Sequence, residues 1–149
     1  MSTYVEHANV TVNNIERAIA FLQTALPDFE IRHQGKSQYR WCHIGTDSTY
    51  IALQEGNINE DDNRTPYRHV GINHIGFVVD DADEVQRRLV EQGYRQNDME
   101  TEHPFRKRLY FYDHDGMEWE FVQYLSEKPS ERNDYLYPNT PNTPNTPNT

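Results

Sequence analysis

The chain of 149 residues points to one compact domain, and 14 basic against 24 acidic side chains leave a formal charge of −10. That surplus argues against nucleic acid or an anionic membrane as a main partner, because binding there rests on cation–phosphate contacts. A single cysteine, Cys42, excludes an intrachain disulfide framework. With no long apolar run and no signal-peptide core, the expectation is a soluble, cytoplasmic protein.

Module one is predicted over residues 4–56. It opens with a strand in which Ala8, Val10 and Val12 alternate with His7, Asn9 and Thr11. Asn13 or Asn14 can cap the following helix, whose Ile15, Ala18, Ile19 and Leu22 form one apolar stripe. A weak strand near Glu30 to His33 precedes two stronger ones, QYRWCHIG and TYIALQ. Residues 57–69 are polar and read as a linker.

Module two, residues 70–126, repeats that order. A constant offset of 67 aligns YVEHANVTVNNIERAIAFL with GINHIGFVVDDADEVQRRL. Asp80 or Asp81 can cap its helix, a weak strand is expected near Tyr94 to Asn97, and KRLYFY turns through DHDG into MEWEFVQYL. Each half therefore reads β-α-β-β-β, and the domain spans 1–126. Residues 127–149 form a C-terminal extension. It ends in a PNT repeat from Pro138 to Thr149 that lacks charged and large apolar side chains and is expected to be disordered.

The chemistry is expected on the strand faces away from the helices. His7 and His74 occupy equivalent places in the repeat, and Glu120 shares a face with Glu118 and Val122. Two imidazoles and one carboxylate suit a divalent Fe, Mn, Ni, Co or Zn ion and leave coordination positions open for a substrate. By the same parity Arg108, Tyr110 and Tyr112 line that face. The arginine suits a carboxylate or phosphate, and the tyrosines suit a metal-bound oxyanion. Arg40 is the first-half counterpart of Arg108. His103, in the loop EHPFRKR, is a candidate base, while Cys42, Trp119 and Phe121 read as core.

Three segments carry a family resemblance: His7 followed after six residues by NIERAIAFL, NHIGFVVDD around His74, and DHDGMEWEF around Glu120. Together they resemble the vicinal oxygen chelate superfamily of glyoxalase, bleomycin resistance and extradiol dioxygenase proteins, up to about Tyr124. The resemblance implies an α+β fold in which two βαβββ modules form an eight-stranded cup-shaped sheet around a metal site, with helices on the outer face. It implies His7, His74 and Glu120 as metal ligands, with Tyr110 and Arg108 as catalytic candidates. It also implies a small oxygen-rich substrate that chelates the metal, with lyase, isomerase or extradiol-type dioxygenase chemistry. The alternative is a non-catalytic, ligand-sequestering protein of the bleomycin-resistance type.

Two departures narrow this. Ala52 stands where metal-dependent lactoylglutathione lyases place a second glutamate, and strand parity turns Glu55 away from the site. The loop DMETEHPFRK lacks the serine of the fosfomycin-opening thiol transferases, although Tyr110 matches their substrate-contacting tyrosine. The resemblance further implies a homodimer, and leaves open whether His7 serves its own chain or meets the His74 and Glu120 of a partner.

Overall fold

The structure, a computed structural model, describes residues 2–56 and 64–138. The first half of the expected linker, residues 57–63, and nearly all of the PNT repeat lie outside the described residues. The elements are β1 (His7–Val12), α1 (Ile15–Ala25), β2 (Glu30–Lys36), β3 (Arg40–Gly45) and β4 (Tyr50–Glu55). There follow β5 (His74–Val78), α2 (Ala82–Glu91), β6 (Arg106–Tyr112), β7 (Glu118–Tyr124) and a short α3 (Pro129–Arg132).

Both main helices start where a short polar side chain can satisfy an orphan amide. The Asn14 side chain accepts from Arg17 N and that of Asp81 from Glu84 N. Asn13, the other cap candidate, instead binds the Asp115 carboxylate through its backbone N–H and its side-chain amide. One further amide at each helix start is met by a strand: Ile15 N donates to Glu55 Oε2, and Ala82 N to Gln123 Oε1.

The expectation of one eight-stranded cup-shaped sheet is corrected. Among the described residues there are seven strands in two separate open sheets, ordered β1-β4-β3-β2 and β5-β7-β6. The missing strand is the one expected near Tyr94 to Asn97. That segment makes only an isolated bridge, Gln96 to Phe111, because its side chains anchor it irregularly. Tyr94 packs edge-on against Phe21, at 5.0 Å between centroids. The Arg95 guanidinium lies 3.9 Å over the Tyr112 ring.

The modules are joined through their helix-side faces, not through sheet edges. Phe77 of β5 stacks on Trp119 at 5.9 Å and meets Phe29 edge-on at 5.5 Å, while Phe21 of α1 lies 6.0 Å from Trp119. Arg88 of α2 donates to the Thr24 and Ala25 carbonyls at the end of α1. One hydrophobic core thus includes Leu22, Ile44 and Leu53 from the first module and Leu89, Phe111 and Phe121 from the second. With both inner faces used for that core, each sheet keeps a helix-free face of its own. The segment after 126 packs back on the second sheet. Arg106, buried, donates to the Arg132 and Asp134 carbonyls, and Arg132 lies over the Tyr124 ring.

Candidate metal centre

Strand register assembles the site on the helix-free face of the second sheet. On β7, Glu118 is paired across to His74 of β5 and Tyr112 of β6, and Glu120 to Gly76 and Tyr110. Gly76 matters because a Cβ there would stand 3.3 Å from Glu120 Oε2, so glycine leaves the carboxylate room to turn toward His74. His74 Nε2 then lies 3.0 Å from Glu120 Oε2, and the Tyr110 hydroxyl donates to Glu120 Oε1 at 2.9 Å.

A second set of bonds holds the other side of His74. Its Nδ1 lies 3.0 Å from the hydroxyl of Tyr67, which itself donates to Glu118 Oε1. Glu118 is buried, and its Oε2 accepts from Asn97 Nδ2 at 2.9 Å. A phenol has one proton to give, and Tyr67 gives it to Glu118, so its oxygen accepts the His74 Nδ1–H. That network places a proton on Nδ1 and turns Nε2 toward Glu120. Two acceptors at 3.0 Å need a proton or a cation between them. The spacing is also that of two ligand atoms each about 2.1 Å from one ion at a right angle. The pair therefore fits a divalent ion.

The surrounding phenols stay protonated. Burial, reinforced by the Glu120 charge, pushes the Tyr110 hydroxyl well above its ordinary range. Burial and Glu118 do the same for Tyr67. Arg108 lies on the same face, one pair further along β6, with its Nε buried and without a hydrogen-bond partner among the described residues. Tyr67, Tyr112 and Glu118 also line a cavity of about 1110 Å³ that reaches Asn9 and Thr11 of β1.

His7 is elsewhere. It is exposed on β1, with Nδ1 2.8 Å from Glu6 Oε1 and its ring stacked on Tyr50 at 4.7 Å. Among the described residues no group of three or more His, Cys, Asp and Glu stands ready to hold a metal ion. The structure thus gathers two of the three expected ligands in one chain.

Other candidates have structural partners. Glu55 binds Ile15 N and Arg40, as strand parity implies, and Arg40 is further paired with Glu16. Cys42 is fully buried in the core. His103 is no mobile base: it is buried, accepts from Phe105 N, and packs against Tyr137. Sequence reasoning missed Tyr67 and Asn97. Neither lies on a regular strand, and Tyr67 belongs to a polar stretch without periodicity. Glu118 had the right parity and only lacked a role.

The profile described as the Glyoxalase/Bleomycin resistance protein/Dioxygenase superfamily matches residues 4–121. Among solved structures, a glyoxylase/bleomycin resistance protein/dioxygenase domain from Frankia sp. EAN1pec is 22% identical with a TM-score of 0.69, covering 83% of this chain and 99% of that one. A glyoxalase family protein from Bacillus cereus is 16% identical, also with a TM-score of 0.69, covering 85% and 97%. The fosfomycin resistance protein FosX from Listeria monocytogenes, in complex with Mn(II) and a sulfate ion, is 20% identical with a TM-score of 0.62, covering 89% and 98%. No curated protein sequence gives a match.

Proposed function

The chain belongs to the glyoxalase/bleomycin resistance protein/dioxygenase superfamily, and from that premise we propose that it is a metal-dependent enzyme acting on a small, oxygen-rich molecule. The observation that carries this reading is the geometry: His74 Nε2 is set 3.0 Å from Glu120 Oε2, with each group held from behind by a phenol. His74 and Glu120 would hold the ion, and His7 is its third protein ligand, supplied by a second copy of the chain in a homodimer. The Mn(II) of FosX, on a similar fold, supports a divalent ion here. Such an ion would act as a Lewis acid on two neighbouring substrate oxygens.

The chain's own residues do the rest. Tyr110, a proton donor already bound to Glu120, keeps that carboxylate from rotating and fixes which oxygen faces His74. Tyr67 and Glu118 keep the imidazole in the ligating tautomer. Arg108, with an unengaged and buried Nε, is placed to receive an anionic group of the substrate on the same face. No side-chain carboxylate stands free as a base at Ala52, so a proton-shuttling lyase step needs another acceptor. That favours lyase or dioxygenase chemistry in which a side-chain carboxylate base is dispensable.

Metal content tests the reading. Protein purified without added metal or chelator is expected to carry a near-stoichiometric divalent ion, and Glu120→Ala to lose it while melting as a folded protein. Iron would direct assays to dioxygenation, and nickel or zinc to lyase and isomerase substrates. Absence of metal, with no uptake when Fe, Mn, Ni, Co and Zn are added back, would overturn it in favour of a ligand-sequestering protein.

A further inference from the structure

The extension after β7 is tied down on the same face as the metal pair, and the metal reading gives it no task. Lys107 of β6 binds Asp83 of α2, and Leu109 and Phe111 lie in the core, so Arg106, Arg108 and Tyr110 face away from the helices. Register then orders the helix-free face along the strands. Glu118 with Tyr112 stands at one end, followed by Glu120 with Tyr110 and Val122 with Arg108; Tyr124 with Arg106 stands at the other end.

The extension crosses that last pair. Arg132 lies 4.0 Å over the Tyr124 ring, and the Arg106 guanidinium lies 4.6 Å over the ring of Tyr135. Arg106 is only 3% exposed and donates to the Arg132 carbonyl at 3.3 Å and to the Asp134 carbonyl at 2.8 Å. Tyr137 packs edge-on against the buried His103 at 5.3 Å. A buried guanidinium gives up such acceptors only at a high cost, so the segment is a fixed wall and not a lid. The opposite end of the face is closed as well, because Tyr67 and Asn97 both bind Glu118. A molecule chelating an ion between His74 and Glu120 can extend along the sheet only past Val122 and Arg108, toward the wall. A strand rises about 3.3 Å per residue, so Tyr124 stands about 13 Å beyond Glu120, and the thickness of the covering chain leaves about 10 Å.

We infer that residues 127–137 form the end wall of the substrate site and limit the substrate to a chelating molecule of single-ring size, its far end beside Arg108. The position of the chelating oxygens rests on the metal-centre reading; the wall itself does not. His74 stands beside Glu118, at the end away from the wall, so the imidazole stays open to a third ligand from a second copy.

The test uses the full chain loaded with Co(II), whose visible absorption reports chelation at the ion. The probes are acetohydroxamate, benzohydroxamate and 4-phenylbenzohydroxamate, which present the same two oxygens and reach progressively further. Wild type is expected to bind the first two, and to bind 4-phenylbenzohydroxamate at least about tenfold more weakly than benzohydroxamate. Arg106→Met keeps an unbranched side chain but removes the bonds that hold the wall. It should tighten 4-phenylbenzohydroxamate about tenfold and leave acetohydroxamate within about twofold, with faster amide exchange across 127–137 read by mass spectrometry. Arg132→Ala, which removes only the stacking on Tyr124, should act in the same direction and serves where Arg106→Met fails to fold. Val122→Phe narrows the lane instead. It should weaken benzohydroxamate about tenfold without changing acetohydroxamate or Co(II) binding.

Equal affinity of wild type for benzohydroxamate and 4-phenylbenzohydroxamate would overturn the inference. So would continued rejection of the longer probe by a variant whose amide exchange shows the segment released. Either result, with Co(II) bound, removes this inference alone. Failure to take up Co(II) removes the metal-centre reading, and the substrate limit with it.

Discussion

At His74 the two ring nitrogens have separate tasks, and the phenol of Tyr67 decides which does which. Tyr67 adopts a φ of 67°, in the left-handed region that a bulky side chain enters at a cost of order 1 kcal/mol. Its bonds to His74 and Glu118 offset that cost. Tyr67→Phe keeps the ring but removes the oxygen, so the Nδ1–H loses its acceptor and Glu118 a donor. Divalent-ion affinity, measured by competition with a chromogenic chelator, is expected to fall about 10- to 100-fold, with a loss of stability of order 1 kcal/mol that leaves the protein folded. His103 makes a different prediction. Burial first, then the charge of Arg106, hold its imidazole below the ordinary value of 6.5, and its Nδ1 accepts from Phe105 N. The unfolded chain therefore takes up a proton near pH 6.5 that the folded chain refuses. Stability from this residue is complete above that pH and is lost as the pH falls from there toward the depressed folded value. Urea melts between pH 5 and 7.5 should show that loss, and His103→Asn should flatten it. Parity along β7 was enough to place Glu118, Glu120 and their β6 neighbours on one face. Tyr67, Asn97 and the burial of His103 come from irregular segments, where no period of two or 3.6 exists to read.

Elements were most legible where local chemistry and periodicity agree. The two capped helices are the clearest case: the apolar stripe of α1 and the side chain of Asn14 both mark its start. Asn14→Ala leaves the Arg17 amide without its acceptor and is expected to cost about 1 kcal/mol, read as a shift in the urea midpoint at unchanged slope. The turn between β6 and β7 was equally plain in DHDG. Gly116 takes a φ of 77°, and the Asp113 carboxylate accepts from Asp115 N, Met117 N and Trp119 Nε1. The eighth strand failed for a physical reason. Tyr94 and Arg95 have strand-like neighbours in the repeat, but their side chains pack on Phe21 of α1 and Tyr112 of β6. Tertiary contacts overrode a weak local signal, as they commonly do for β structure. The same contacts leave only two backbone bonds from this segment to β6, Asn97 N to the Tyr110 carbonyl and Tyr112 N to that of Arg95.

At the scale of the molecule, the repeat implied two equivalent histidines but could not say in which chain they meet. The packing explains why. The aromatic contacts of Phe21, Phe29, Phe77 and Trp119 fasten the modules by their inner faces, so the two helix-free faces belong to separate sheets and His7 stands on a different sheet from His74. If the third ligand comes from a second copy, a two-fold dimer contains two equivalent sites, each built from His7 of one chain and His74 with Glu120 of the other. Complementation then separates shared from unshared sites. His7→Ala and Glu120→Ala, each alone, spoil both sites of their own homodimers. When the two variants are mixed and allowed to exchange subunits, a mixed dimer holds one site lacking both groups and one site with all three ligands. Since half of the dimers are mixed at equal input, metal content is expected to recover to about a quarter of the wild-type value. Size-exclusion chromatography of the same samples should show a dimer throughout. If every site were completed within one chain, each chain in the mixture would carry a defect and metal would not return. The recovery therefore reads directly which chain His7 serves, without knowledge of the substrate.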